Sequence, residues 1–355
     1  MARNRLILDR YAPLAEAGSG GFGTVQVAWD TRIQRKVAIK CIDLGDVEAR
    51  GSGEGVGFDE MRTRELGGRD GGRSDDFSAA VHAYLRVPGL DEARTAALLS
   101  DANIVAVYDF EVQGSTAYLI MEYVEGLTLT QLLADHGDEL TLDAVAAVFA
   151  GVAHALEIAH DNQVLHLDIK PDNVLIDHKG QVKVTDFGLA KLAGAGGFGA
   201  AGGGTIGYMP LEQMRGELLD VRCDEWALAS VTYEMLAGEN PFLADGLAQA
   251  ESAIEDAELV LPSLCWDDLD EQADDVLFYA LDPDRDERYD SVADFAEEME
   301  KFLGDAKRGR RELADLVTGA YADDEGLDDA PEPAAPRERL PIGERVGDLP
   351  RAIAG

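Results

Sequence analysis

The sequence predicts an α+β protein of two lobes, a small β-rich N-terminal lobe and a larger α-helical C-terminal lobe with a cleft between them. Two observations carry this prediction. Residues 11–43 alternate apolar and polar side chains with the two-residue period of strands. Beyond Gly126 the apolar side chains recur at helical spacing instead. A chain of 355 residues, 46% of them hydrophobic, is long enough to bury such a core.

The first strands form a predicted hairpin. Val25, Val27 and Trp29 share one strand face, a polar turn follows at 30–34, and residues 36–42 alternate again. A helical pattern at 91–99 and two strand-like runs at 104–111 and 117–123 complete the N-terminal lobe, which spans about residues 10–124.

A Gly-rich segment, residues 45–75, interrupts this lobe. It carries nine glycines between Gly45 and Gly72 and a mixture of charges. Such a composition cannot bury enough apolar surface to order itself. We therefore expect a mobile insertion here.

Helices dominate the predicted C-terminal lobe, about residues 125–303. Thr141 is placed to cap a helix, and a second apolar helix begins near Asp224 and ends at Gly238. The stripe of the first helix consists of Val145, Val148, Phe149, Val152 and Leu156. Further amphipathic helices are predicted at 246–258, 270–281 and 291–303. Residues 304–355 are predicted to be a largely disordered extension with a short helix to about residue 318.

The formal net charge of −38 argues against nucleic acid or an anionic membrane as the main partner. The acid is concentrated: residues 251–300 carry nineteen Asp and Glu against two Arg. One interpretation is a solvated face that keeps the protein soluble. The other is a docking surface for a basic partner.

Several features predict a cytoplasmic location. Cys41, Cys223 and Cys265 are odd in number and scattered, which is typical of a reducing compartment. The N-terminus reaches Asp9 after three apolar residues, too few for a signal peptide. The most apolar run, residues 144–159, is interrupted by a histidine and a glutamate, so no membrane-spanning helix is predicted.

Four polar residues lie close together between short apolar runs: Asp168, Lys170, Asn173 and Asp186. Polar groups in such positions usually sit at strand ends, where loops hold them on a rigid frame. Two acids and an amide offer the hard oxygen ligands that Mg²⁺ prefers and often shares with phosphate. The lysine can meet phosphate charge, and the remaining acid can take a proton. The set predicts a phosphoryl-transfer site.

A glycine-rich loop precedes this set in the chain. Residues 18–25 read Gly-Ser-Gly-Gly-Phe-Gly-Thr-Val, and a strand pattern follows them rather than a helix. Glycines in a hairpin let backbone amides approach phosphates closely. Lys40 closes the next strand and shares its face with Ala38, which leaves room for a flat ring beside a positive charge. Alone, the loop is weak evidence; together with Lys40 it indicates a nucleotide site.

With these motifs in order over about residues 10–303, the chain resembles a bacterial Ser/Thr protein kinase of the eukaryotic-like family. The motifs are the glycine loop, Val-Ala-Ile-Lys ending at Lys40, Met-Glu-Tyr-Val from Met121, His-Leu-Asp-Ile-Lys-Pro-Asp-Asn from His166, and Asp-Phe-Gly from Asp186. The resemblance implies a bilobed protein-kinase fold, ATP and Mg²⁺ as cofactors, and Ser/Thr hydroxyls of proteins as substrates. The sequence does not specify an oligomeric state.

The resemblance also implies a role for each matching residue. Asp168 would accept the proton of the substrate hydroxyl, Lys170 would steady the γ-phosphate, and Asn173 and Asp186 would bind Mg²⁺. Lys40 would hold the α- and β-phosphates and pair with a helix glutamate, for which Glu92 is the best match. The implied nucleotide pocket consists of Gly18, Ser19, Gly20, Gly21, Phe22, Gly23, Val25, Ala38, Lys40, Met121, Glu122, Tyr123, Val124 and Leu175.

Structural roles are implied for another group of polar residues. Asp224 would accept hydrogen bonds from catalytic-loop amides, and Arg288 would pair with Glu212. His166 would hold the loop rather than transfer a proton. Thr205 matches the threonine that helps to position the catalytic loop in Ser/Thr kinases.

The sequence departs from the family pattern in three places. Leu167 stands where most relatives carry an arginine that pairs with a phosphorylated loop residue, and residues 189–204 contain no Ser, Thr or Tyr. Residues 209–212 read Met-Pro-Leu-Glu where Ala-Pro-Glu is usual. Lys40 and Glu92 are 52 residues apart, far more than is usual.

These departures leave two readings of the function. The first departure predicts a kinase whose activity does not depend on activation-loop phosphorylation. The alternative is a pseudokinase, a nucleotide-binding scaffold, although a scaffold needs neither the base nor the metal ligands.

Overall fold

A computed structural model describes residues 6–20, 23–43, 99–187, 206–324 and 351–353. An antiparallel sheet forms the N-terminal lobe, with strand order β1-β2-β3-β5-β4. Its strands are β1 (Tyr11–Gly20), β2 (Gly23–Asp30), β3 (Arg35–Asp43), β4 (Val107–Gln113) and β5 (Thr116–Glu122). The predicted turn and strand runs are confirmed to within a few residues.

The two faces of β3 have different partners, as its alternation predicted. Val37 and Ile39 pack with Tyr11 and other residues in a cluster on one face. Ala38 packs on the opposite face, against the cluster that contains Met121. This second face also carries Lys40, and it faces the candidate active site.

A small sheet of β6 (Gly126–Thr128), β7 (Val174–Asp177) and β8 (Val182–Val184) accompanies the C-terminal helices. The helices are α1 (Leu129–His136), α2 (Leu142–Asp161), α3 (Leu211–Met214), α4 (Arg222–Ala237), α5 (Leu247–Glu255), α6 (Gln272–Ala280), α7 (Val292–Met299) and α8 (Ala306–Asp324). A β-sheet N-terminal region and a helical C-terminal region thus confirm the predicted α+β class.

The predicted start of α2 and the predicted end of α4 are confirmed, and α4 begins two residues before Asp224. Thr141 caps α2 by accepting a hydrogen bond from the Ala144 amide, and the predicted apolar stripe of this helix is fully buried. Helix α4 stops at Gly238, whose φ of 82° is the left-handed conformation that glycine adopts readily.

Among the described residues, α2 is the one helix long and apolar enough to cross a membrane. However, 67% of its most apolar stretch is buried inside the fold. Phe149 of α2, for example, makes an edge-to-face contact with Phe295 of α7 at a centroid distance of 5.3 Å. Its composition is therefore that of a core helix.

Within the described residues, the C-terminal extension begins with a helix, as predicted. Helix α8 runs to Asp324 rather than to about 318, and it packs along α2. Leu313 and Val317, one helical turn apart, are completely buried in the main core, so burial outweighs the low mean hydropathy of the segment. Further on, β10 (Arg351–Ile353) pairs antiparallel with β9 (Glu258–Val260).

Several predictions lie outside the described residues. They are the insertion at 45–75, residues 91–98 of the helical pattern at 91–99, Gly21, Phe22, the activation segment at 189–204, and Thr205. The domain boundaries at about residues 10 and 303 stay predictions.

Candidate active site

The loop after α2 brings three of the predicted site residues into direct contact. Lys170 Nζ lies 2.9 Å from Asp168 Oδ2 and 3.1 Å from Oδ1. Asn173 donates from Nδ2 to the Asp168 carbonyl at 2.7 Å and to Oδ2 at 2.9 Å. Charge-assisted hydrogen bonds of this kind fix a carboxylate in one orientation. Asp168 is thus held between a cation and an amide on a short, rigid loop.

His166 holds this loop in place through its two ring nitrogens. Its Nε2 lies 2.8 Å from the Thr185 carbonyl oxygen, which can only accept, so Nε2 carries the proton. Nδ1 is then free to accept from the Asp168 amide at 3.2 Å. The ring also contacts Phe187 edge-to-face at 4.6 Å. Both ring nitrogens are used by the backbone, which confirms the predicted structural role of His166.

Asp224 anchors the same loop from α4, as predicted. Its carboxylate is completely buried and accepts from the Leu167 amide at 2.7 Å and from the His166 amide at 2.8 Å. His160 Nε2 lies 2.8 Å from the same carboxylate. A buried carboxylate is tolerated because every one of these contacts donates to it.

Leu167 has a left-handed backbone, with φ at 63°, which is costly for a residue other than glycine. Its carbonyl accepts from Gln213 Nε2 at 2.8 Å. Its side chain is buried in a small cluster with Cys223, flanked by Leu165 and Leu219. Burial raises the pKa of the Cys223 thiol, so the sulfur is a neutral member of the cluster. An apolar contact therefore occupies the position for which the family pattern implied an arginine.

The two predicted metal ligands flank the β7–β8 hairpin, one before β7 and the other two residues after β8. Asn173 precedes β7, and its carbonyl accepts from the amide of Thr185, the neighbour of Asp186, at 3.0 Å. Lys40 Nζ reaches across the cleft to Asp186 Oδ2 at 2.5 Å. Asp186 also has a positive φ, 71°.

This donor set fits a magnesium ion. The Asn173 amide nitrogen is directed at Asp168, which leaves its oxygen as the atom for a cation, and Asp186 adds a carboxylate. Both are hard oxygen donors, and two protein ligands are the usual number for Mg²⁺ shared with phosphates.

Apolar residues predicted to line the nucleotide pocket lie together. Ala38 faces Met121 across the β3–β5 register. Val124 and Leu175 pack with Ala38 against the cluster that contains Met121. Val25 lies opposite Lys40 on the neighbouring strand. Residues from both lobes thus contribute to one apolar surface beside Lys40.

The glycine loop joins β1 to β2, and Gly20 pairs with Gly23 at its ends. Gly23 has a φ of 124°, and a Cβ there would lie 1.9 Å from the Cys41 carbonyl oxygen, so only glycine fits. Gly18 meets nothing within 4 Å of an added Cβ. The loop is therefore a true strand-to-strand turn, as the sequence indicated; its tip lies outside the described residues, as does Glu92.

The ion pair predicted between Arg288 and Glu212 is present and buried. Arg288 donates from Nη1 and Nη2 to the two Glu212 oxygens at 2.8 and 3.2 Å. The guanidinium also lies 4.7 Å from the centre of the Trp226 ring. The Met-Pro-Leu-Glu variant therefore keeps its anchor.

Besides the Lys40–Asp186 pair, two contacts near the site were not predicted. Gln213 holds the Leu167 carbonyl, as described above. Lys183 of β8 lies 3.0 Å from Glu122 at the end of β5, and this ion pair joins the two lobes behind the pocket. Neither residue belongs to a motif, and each partner lies far away in the chain, so no local signal identified them.

The arrangement is typical of a site for a nucleotide and a phosphoryl group, and comparison with known proteins identifies its class. The family model described as a protein kinase domain matches residues 88–301. The chain therefore belongs to the protein kinase family.

Its relatives are bacterial Ser/Thr kinases. PrkC of Bacillus subtilis (strain 168) is 30% identical over 315 residues, 87% of this chain and 42% of PrkC. PknB of Mycolicibacterium smegmatis is 33% identical over 320 residues, 84% of this chain and 46% of PknB. PknL of Mycobacterium bovis is 32% identical over 291 residues, 81% of this chain and 64% of PknL. The chain thus spans about half the length of these relatives.

Proposed function

We propose that this chain is an active protein Ser/Thr kinase that transfers the γ-phosphate of ATP to protein hydroxyls. The observation that carries the proposal is the contact of Asp168 with both Lys170 and Asn173, beside the Lys40–Asp186 pair. A nucleotide-binding scaffold requires no base held in this way, and the names of the relatives give the pseudokinase alternative no support.

Each side chain then has a separate task. Asp168 orients the attacking hydroxyl and accepts its proton, and Lys170 offsets charge on the transferring group. Lys40 holds the α- and β-phosphates, and Ala38, Val124 and Leu175 enclose the adenine. Backbone groups of residues 122–124 would hydrogen-bond the base.

Asn173 and Asp186 would hold Mg²⁺, which supplies positive charge beside the phosphates when it is bound. The chain's own contribution is the backbone hydrogen bond from Thr185 to Asn173, which ties Asn173 to the residue before Asp186.

The direct test is transfer of labelled phosphate from ATP, with Mg²⁺, to the chain itself and to a basic generic protein. We expect labelled Ser or Thr in both. If the chain binds nucleotide but labels neither, the pseudokinase alternative is the correct one.

We further propose that activity does not require a phosphate on the activation segment. The Leu167 side chain is buried against Cys223 and has no positive charge to offer a phosphate. We expect phosphatase treatment to leave the specific activity unchanged within error, with mass mapping to confirm that residues 189–205 are unmodified. Strict dependence on a phosphate at Thr205 would contradict this.

A cytoplasmic location and a basic partner at residues 251–300 are further proposals. The second is tested by binding of a basic protein whose affinity falls steeply with salt.

A further inference from the structure

Helix α8 lies beyond residues 88–301, which match the protein kinase domain model, yet it is built into the lobe that carries the site. Leu313 and Val317 are completely buried in the main core. The helix contacts α2 along its length and also touches β7. It is therefore part of the folded unit and not an appended tail.

Backbones approach each other unusually closely where α8 docks. A Cβ on Gly309 would lie 1.7 Å from the Asp143 carbonyl oxygen of α2. A Cβ on Gly180, in the turn between β7 and β8, would lie 1.7 Å from the Arg310 carbonyl oxygen. Glycine on each side is what allows α8 to lie directly on both elements.

Polar contacts fix the orientation of α8 against α2 and the β7–β8 turn. Arg308 Nε lies 2.9 Å from Asp143 Oδ2 and 3.1 Å from Glu312. Thr141, the cap of α2, donates to the Glu312 carboxylate. Arg310 Nε donates to the Lys179 carbonyl in the β7–β8 turn at 3.3 Å. The same helix thus contacts the start of α2 and the tip of the hairpin.

The hairpin links this contact to the site. Strand β7 begins directly after Asn173, and β8 ends two residues before Asp186. The tip is stiff, because Asp177 Oδ1 accepts from the amides of Lys179 and Gln181, both at 2.8 Å. Through these short strands, a displacement of the tip would reach the base of the hairpin, next to Asn173 and Asp186.

We propose that α8 is a positioning element for the active site, and that Gly309 and Arg310 act through the β7–β8 hairpin on the spacing of Asn173 and Asp186. This inference rests on the proposed function, since it takes those two residues as the Mg²⁺ ligands.

The test compares Gly309→Ala with Gly319→Ala in the full chain. Both changes replace glycine by alanine in α8 and favour the helix equally. An added Cβ at Gly319 meets nothing within 4 Å, whereas at Gly309 it meets the α2 backbone. We measure hydrogen exchange of residues 174–184 and the Mg²⁺ concentration for half-maximal rate, well below the melting temperature.

We expect faster exchange in the hairpin and a severalfold higher Mg²⁺ requirement for Gly309→Ala, and neither change for Gly319→Ala. If α8 only stabilises the fold, Gly309→Ala will lower the melting temperature and leave the Mg²⁺ requirement of the folded protein unchanged. That outcome overturns the proposal.

A second pair of variants, with smaller structural effects, serves as the test if Gly309→Ala does not fold. Arg310→Ala removes the contact to Lys179, and its exposed neighbour Arg311→Ala is the control. Hairpin exchange that is equal in these two variants also overturns the proposal. If the wild-type chain transfers no phosphate, the proposed function fails, while hairpin exchange still reports on α8.

Discussion

Replacing Asp168 by Asn is expected to lower kcat by about 10²–10⁴-fold, the usual contribution of a positioned general base. The variant keeps the shape of the side chain and can still receive the Asn173 amide, but it cannot take a proton. Nucleotide affinity should stay unchanged, because Lys40, Asp186 and the apolar pocket do not depend on this carboxylate. Single-turnover transfer and a nucleotide titration measure the two quantities separately.

Asp172→Asn is the matched control. Asp172 lies on the same loop, in the turn Pro171–Asn173, and its side chain is exposed. The same chemical change there should leave transfer intact. Wild-type rates for Asp168→Asn would show that another group accepts the proton.

The catalytic loop is predictable from sequence because its functional residues lie within a few positions of one another in the chain. Asp168, Lys170 and Asn173 contact one another in the structure as their spacing implied. The predictions for Asp224 and Arg288 also hold, since buried charges must find partners and the family pattern names them.

The contacts that the sequence did not reveal depend on tertiary geometry. Lys40 meets Asp186 across 146 residues, a pairing that depends on how the lobes close. The left-handed backbone of Leu167 runs against the intrinsic preference of leucine, and only the bonds from its amide and carbonyl to other elements explain it. Helix α8 is longer than the sequence predicts. Its two buried positions lie among many polar residues, which weaken the helical pattern.

One buried acidic residue on α4, Glu225, was not singled out by the sequence analysis. It is completely buried, and neither carboxyl oxygen has a hydrogen-bond partner within the described residues. Arg288 is nearby, but its terminal nitrogens are already bonded to Glu212. Burial therefore dominates and raises the pKa of Glu225 from 4.5 to about 9, with the positive charge of Arg288 opposing it only in part.

Such a carboxyl makes stability fall as pH rises. In the unfolded chain Glu225 loses its proton near pH 4.5, while in the folded chain it keeps the proton up to about pH 9. Between these values the folded state binds the extra proton, so the free energy of unfolding decreases by about 1.4 kcal/mol per pH unit from this group. At pH 7 the loss is on the order of 3 kcal/mol.

Glu225→Gln is therefore expected to stabilise the protein, by little at pH 5 and by about 3 kcal/mol at pH 7, with a larger gain at pH 8. Glutamine keeps the volume and the neutral state that the site already imposes. Denaturant unfolding at several pH values measures the difference. Glu239→Gln, at an exposed glutamate just beyond the end of α4, is the control and should give no such trend. A stability difference for Glu225→Gln that is constant from pH 5 to pH 8 would mean that Glu225 is already ionised in the folded protein.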